Sequence, residues 1–133
     1  MSIRNPRYAQ AGQRRHCQYR LYGFKPSDVG QAPYCASTFG LIGLSKSAAI
    51  DYAQQGIRVN VVAPGFIHSE MVDPYVEAAP ELINRLISRY SALNRFGTAE
   101  EAAEAITWLR SDAACFVNGA VLQVDGGDTS RLY

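Results

Sequence analysis

Hydrophobic and polar positions divide this chain into two parts of different character. Residues 1 to about 33 are polar, rich in arginine and glutamine, and weakly patterned. From Tyr34 onward the pattern tightens. Residues 37 to 55 alternate small and large apolar groups (Phe39, Leu41, Ile42, Leu44, Ala48, Ala49, Ile50, Tyr52, Ala53). This predicts a helix apolar around much of its girth and buried on more than one side. Gly56 is its expected stop. The run "IRVNVVAP" is β-branched, ends at Pro64-Gly65, and reads as a buried parallel strand over about 57–63. In "PELINRLISRY" the apolar residues Leu82, Ile83, Leu86, Ile87 and Tyr90 fall at helical spacing. Thr98 and Glu101 make a capping box that opens an amphipathic helix over 98–110. "GAVLQVDGG" supplies another strand, about 120–125, and closes on a glycine pair. Two strands joined by so long a helical connection imply a parallel crossover. A third strand fits near 15–22, where His16, Gln18 and Arg20 alternate with Cys17, Tyr19 and Leu21. Such a strand suits a sheet edge with one wet face.

Composition changes this picture little. The chain has 133 residues, 47% of them hydrophobic and 19% charged, as in an ordinary α/β domain able to bury a core. A net charge of +1 gives no bulk attraction to nucleic acid or an anionic membrane. Charge placement is uneven, however: Arg4, Arg7, Arg14, Arg15, Arg20 and Lys25 all precede the first acidic residue, Asp28. That basic segment has three readings: a targeting presequence, a nucleic-acid arm, or sequence without selected function, such as a gene read out of frame before about residue 22. The third is favoured here, because an organised pattern begins abruptly in mid-strand. No apolar run approaches the ~18 residues of a membrane span, and no apolar signal core opens the chain. Cys17, Cys35 and Cys115 lack metal-ligand spacing and suit packing in a reducing cytoplasm. No metal site is expected.

Four ordered pieces carry a more specific message: "YCAS" at the helix start, "IRVNVVAPGFIHSEM", "RFGTAEEAAEAITWLRSD" and "NGAVLQVDGG". In order and spacing they resemble the C-terminal half of the short-chain dehydrogenase/reductase family, from about Gly23 to Gly127. The resemblance implies an α/β fold: the C-terminal portion of a Rossmann-like doubly wound parallel sheet, truncated to two or three strands with flanking helices. Residues 1–22 then form a non-family basic segment, and 23–133 the family region. By the same resemblance Tyr34 matches the catalytic tyrosine, which exchanges a proton with a carbonyl or alcohol substrate while hydride passes to or from NAD or NADP. Pro64 and Gly65 match the turn beside the nicotinamide, and Ile67 and Ser69 match positions that contact the carboxamide and pyrophosphate. Asn60 matches a mostly structural asparagine, and residues 66 to about 95 match the covering loop and helices.

The same comparison exposes departures. The family's glycine-rich pyrophosphate turn has no counterpart in this sequence, and Arg20 falls where the family places a catalytic serine. Thr38 stands where the family has lysine. A phenol titrates near 10 and is a poor base at neutral pH until a nearby charge stabilises the phenolate. Lysine four residues on would share its helix face and supply that charge; threonine cannot. Lys46 lies twelve residues on, roughly 18 Å along the axis and turned about 120°. Two functions therefore compete: an NAD(P)-dependent short-chain oxidoreductase impaired in this chain, or a non-catalytic remnant that persists through homo-oligomer or partner contacts. Bland readings stand beside the catalytic ones. Pro64-Gly65 equally suits a strand-ending turn, and His68 a loop histidine. Asp51, Glu100, Glu101 and Glu104 suit solvated helix faces, and Asp125 a turn.

Overall fold

A computed structural model describes residues 16–17, 32–70 and 72–130. Most of the basic segment, with Arg20 and the remainder of the strand expected near 15–22, lies outside the described residues. The part of that strand within them is present: β1, His16–Cys17, pairs in parallel with β2, Arg58–Val59. β3, Val61–Pro64, pairs in parallel with β4, Val121–Val124, in the register Val61 to Val121 through Pro64 to Val124. β2 and β3 are one extended segment interrupted at Asn60, so the run 58–64 links both pairs. The sequence placed this strand at 57–63 as a single element; the break is the correction. Its cause is the Asn60 side chain, whose Nδ2 donates to Val117 O at 3.0 Å and whose Oδ1 accepts from Ala120 N–H at 3.0 Å. Both amide arms are spent on the turn that leads into β4, which is a structural role.

Helices cover both faces of this segment, as alternation along a strand dictates. Val61 and Ala63 pack with Ile42 on one face. Val62 packs with Leu109 and Ala114 on the other. The first face belongs to α1, Ala32–Asp51, and the second to α4, Ala99–Arg110. Between them in sequence come α2, Asp73–Ala78, and α3, Pro80–Tyr90. No helix among the described residues is long and apolar enough to cross a membrane.

α1 corrects two expectations. It begins at Ala32, two residues before the "YCAS" piece expected at its start and ahead of the apolar run from 37, because Pro33 in the first turn has no intrahelical donor to lose. It ends at Asp51, and residues 53–55 tighten into a 3-10 turn that Gly56 stops in the left-handed region at φ 75°. The helix is also not buried on several sides. Only Thr38, Ile42, Ser45 and Ala49 are buried, a single stripe facing the sheet. Phe39, Leu44 and Ile50 remain exposed. The apolar girth read in the sequence is real, but among the described residues one strip of it is covered.

Arg58 holds the amino edge of the sheet together. Although charged, it is 3% exposed. Its Nη2 donates to Leu109 O at 2.8 Å and Ser111 O at 3.3 Å, and its Nη1 to Val117 O at 3.0 Å. Two of these carbonyls close α4, where a helix dipole favours a cation. Asn118 completes the edge, accepting from Val59 N–H at 2.9 Å and donating to Ala49 O at 2.8 Å.

Candidate functional site

The opposite, carboxyl edge is where open parallel sheets place ligands. β3 ends there at Pro64, and the Gly65 N–H donates to Val124 O at 3.0 Å. A Cβ at Gly65 would lie 2.7 Å from Asp125 Cα and 2.9 Å from its Cβ. Glycine is therefore required by close approach of the two strand ends, whatever else the turn does. The chain continues through Ile67, which is buried and forms a parallel bridge with Gly97. The bridge bonds run from His68 N–H to Gly97 O and from Gly97 N–H to Phe66 O, each 2.9 Å. Ile67's own N–H and C=O consequently point away from Gly97, and among the described residues neither meets a hydrogen-bond partner. Ser69 follows, half-buried, its carbonyl accepting from the N–H groups of Val72 and Asp73 at 2.8 and 2.9 Å.

Tyr34 reaches this edge by topology. α1 is tied at its end to the amino edge, where Asn118 holds Ala49. Its twenty residues span about 30 Å, so its first turn stands at the carboxyl edge with Tyr34 42% exposed. Thr38, one turn on, is 4% exposed and lies on the stripe that faces the sheet. Lys46 is exposed and points elsewhere. The edge thus gathers Pro64, Gly65, Ile67 and Ser69 as one stretch, with Tyr34 on the neighbouring helix. The position beside Tyr34 carries a buried hydroxyl and no charge.

A cleft of about 240 Å³ opens beside this stretch, between Phe66, Ile67 and Leu93 on one wall and Gln123 to Gly127 on the other. Of the sequence-expected site residues only Ile67 lines it. Its charged groups are engaged in framing the loops. Arg95 grips Glu101 with two bonds of 2.7 and 2.8 Å, and Glu101 also accepts from Thr98 N–H at 2.9 Å. The Arg95 and Thr98 bonds hold the Glu101 carboxyl down at about 2. Burial would raise Asp125, but bonds from the Thr129 hydroxyl and from the Thr129 and Gly127 amides outweigh it and leave that carboxyl below its ordinary value. Asp125 is the turn former the sequence suggested. Arg95 was not singled out in the sequence, although an arginine six residues before a capping-box glutamate was the available signal. Among the described residues no His, Cys, Asp and Glu group could hold a metal.

Known proteins resemble this chain in sequence and in fold. The family model described as enoyl-(acyl carrier protein) reductase matches residues 25–129. The 3-oxoacyl-[acyl-carrier-protein] reductase FabG of Rickettsia felis is 45% identical over 98 residues, which cover 74% of this chain and 39% of the relative. An oxidoreductase of the short-chain dehydrogenase/reductase family from Burkholderia thailandensis superposes with a TM-score of 0.80 at 31% identity, over 93% of this chain and 47% of that one. ElxO, solved with NADP bound, superposes with a TM-score of 0.79 at 27% identity, over 87% of this chain and 47% of that one. The chain therefore spans about two-fifths of the length of the Rickettsia felis relative and just under half of each of these two structures.

Proposed function

The chain belongs to the short-chain dehydrogenase/reductase family, and from that premise we propose that residues 34–127 form the substrate-side half of an NAD(P)-dependent oxidoreductase site, impaired in this chain. Its substrates are small carbonyl compounds or alcohols. The observation that carries this reading is the peptide of buried Ile67, whose N–H and C=O point away from Gly97 and meet no hydrogen-bond partner among the described residues. A buried N–H and C=O need partners, and the carboxamide of a nicotinamide offers a matching acceptor and donor. The bound cofactor would supply or accept the hydride. Tyr34 would give a proton to the substrate oxygen during reduction and take it back during oxidation. Pro64 and Gly65 would floor the ring site, and the Ser69 hydroxyl would meet the pyrophosphate. ElxO with NADP bound supports that class of cofactor.

Impairment rests on Thr38. A neutral side chain buried against the sheet cannot supply the charge a phenolate needs. The sequence also contains no strand followed by a glycine-rich turn that could seat a pyrophosphate. Titration with NADH and NADPH, followed at the Ile67 backbone amide by NMR, tests both parts. Perturbation of Ile67 only at concentrations far above micromolar is expected. A micromolar dissociation constant would overturn impairment, and an Ile67 amide unmoved at saturation would overturn the half-site.

A second reading, contact without catalysis, is favoured by the outer face of α1. Ala36, Gly40, Gly43 and Ser47 recur there at helical spacing, flanked by exposed Phe39, Leu44 and Ile50. A Cβ built at Gly40 or Gly43 meets nothing within 4 Å. Small residues let helices approach closely, and a second copy of this chain is the proposed occupant. We place the protein in the cytoplasm, where Cys35 and Cys115 stay reduced, and assign it no nucleic-acid or membrane partner.

A further inference from the structure

Asn118 and Gly119 are the only asparagine–glycine pair in the sequence. In such a pair the backbone readily attacks the side chain before it, because glycine places no Cβ in the way. The reaction is deamidation. The Gly119 nitrogen gives up its proton to base and bonds to Asn118 Cγ, the bond from Cγ to Nδ2 breaks, and ammonia leaves. Water then opens the cyclic imide at either carbonyl, leaving aspartate or isoaspartate. Asn118 is exposed, so water reaches it. What the fold withholds is the freedom of the reacting groups. Gly119 N–H donates to Val59 O at 2.8 Å, and Asn118 Oδ1 accepts from Val59 N–H at 2.9 Å. Asn118 Nδ2 donates at 2.8 Å to Ala49 O, one of the last four carbonyls of α1, which have no partner within the helix. Both flanks are pinned as well. Asn60 bonds Val117 O and Ala120 N–H, each at 3.0 Å, and Arg58 Nη1 shares Val117 O.

We propose that Asn118 is a site of spontaneous covalent modification gated by this clasp. It deamidates when residues 117–120 lift from the run 58–60, and the product keeps the clasp from closing again. Aspartate has no N–H for Ala49 O and sets a negative charge at the negative end of α1. An opening that ends in deamidation therefore unties the end of α1 from the sheet permanently. Nothing in this depends on the oxidoreductase reading.

Peptide mapping by mass spectrometry measures deamidation at Asn118 after incubation of the full chain in mildly alkaline buffer, native and in urea. The clasp predicts a native rate at least about ten-fold below the rate in urea. Asn60→Ala frees both flanks without altering the pair. It should raise the native rate severalfold and leave the urea rate unchanged. Circular dichroism checks that this variant is folded; if it is not, the wild-type ratio and the product mimic decide. That mimic, Asn118→Asp, should exchange amide hydrogens across 47–57 faster than wild type, with 61–64 and 121–124 unchanged. Native and urea rates within about two-fold of each other would overturn the clasp. So would a folded Asn60→Ala with the wild-type rate, or exchange in Asn118→Asp that is unchanged or raised equally throughout the chain.

Discussion

Arg58 offers the sharpest test of how this fold is held. Replacing it with alanine removes donors to three backbone carbonyls at 2.8, 3.0 and 3.3 Å. Hydrogen bonds from a charged donor contribute about 1.5–3 kcal/mol each, and the 3.3 Å contact counts for less. Against this stands the desolvation of a guanidinium that is 3% exposed, a penalty of several kcal/mol. An apolar substitute usually recovers that penalty, but here the partners are main-chain carbonyls that stay behind and lose their donors. The net loss should be about 3–5 kcal/mol, from three carbonyls left without donors at about 1–3 kcal/mol each with the long contact discounted. With a urea slope near 1.5 kcal/mol per M, the midpoint should fall by about 2–3 M. Arg58→Lys should recover less than half of this, because an ammonium cannot match the planar fork. A midpoint shift below about 0.5 M for alanine, or full rescue by lysine, would refute the account. The first result would mean the carbonyls find other partners; the second, that charge alone matters.

Two further outcomes follow from other parts of the fold. Glu101 has a folded pKa lowered from 4.5 to about 2, so its pairing contributes stability above the higher value that is lost as pH falls toward the lower. Wild type should therefore have a higher Tm than Glu101→Gln at pH 6 and lose that advantage near pH 2; an advantage that persists at pH 2 would contradict the assignment. Gly43→Glu places a charge on the outer face of α1, where a Cβ meets nothing within 4 Å. Light scattering should show wild type associated at tens of micromolar and the variant monomeric with unchanged helix content; a monomeric wild type would sink the proposed self-contact.

Local chemistry was legible in the sequence and long-range chemistry was not. The capping box needs only Thr98 and Glu101, three residues apart, and both of its bonds are present. The stripe of α3 was likewise visible: Ile87 is buried and Ile83, Leu86 and Tyr90 are partly covered, with Leu82 alone turned out. Gly56, the parallel pairing of β3 with β4, and the third strand at His16–Cys17 were all within reach of pattern reasoning. Arg58 and Asn118 were not, because the groups they bind lie more than fifty residues away in sequence. At Gly65 the sequence left ligand turn and strand-end turn level. The approach of Asp125 shows a packing requirement sufficient by itself. The girth of α1 misled for a related reason: apolarity reports what a face can bury against, and the described residues supply one partner for it.

Thr38→Lys joins the site to the fold. The residue is 4% exposed and shares its stripe with Ile42, Ser45 and Ala49, so an ammonium cannot remain where the threonine methyl sits. Side chains on a helix lean toward its N-terminus, which carries a lysine stem toward Tyr34, one turn earlier and 42% exposed. The stem can lie along the apolar stripe while its head reaches water. The variant should therefore fold, with the charge delivered beside the tyrosine. It should still fail to reduce a generic ketone with NADPH, because hydride transfer needs a nicotinamide held at about 3–3.5 Å from the reacting carbon. Charge beside Tyr34 does not build a pyrophosphate seat. The comparison that decides is the same substitution in residues 23–133 joined to the N-terminal half of a family member. Turnover by the single variant would show that residues 1–33 contribute a cofactor seat after all. Turnover only in the chimera would establish that Tyr34, Ile67 and Ser69 keep a usable half-site. Failure in both, with Ile67 silent to NADPH, would move the protein to the contact reading, in which the outer face of α1 matters and the carboxyl edge does not.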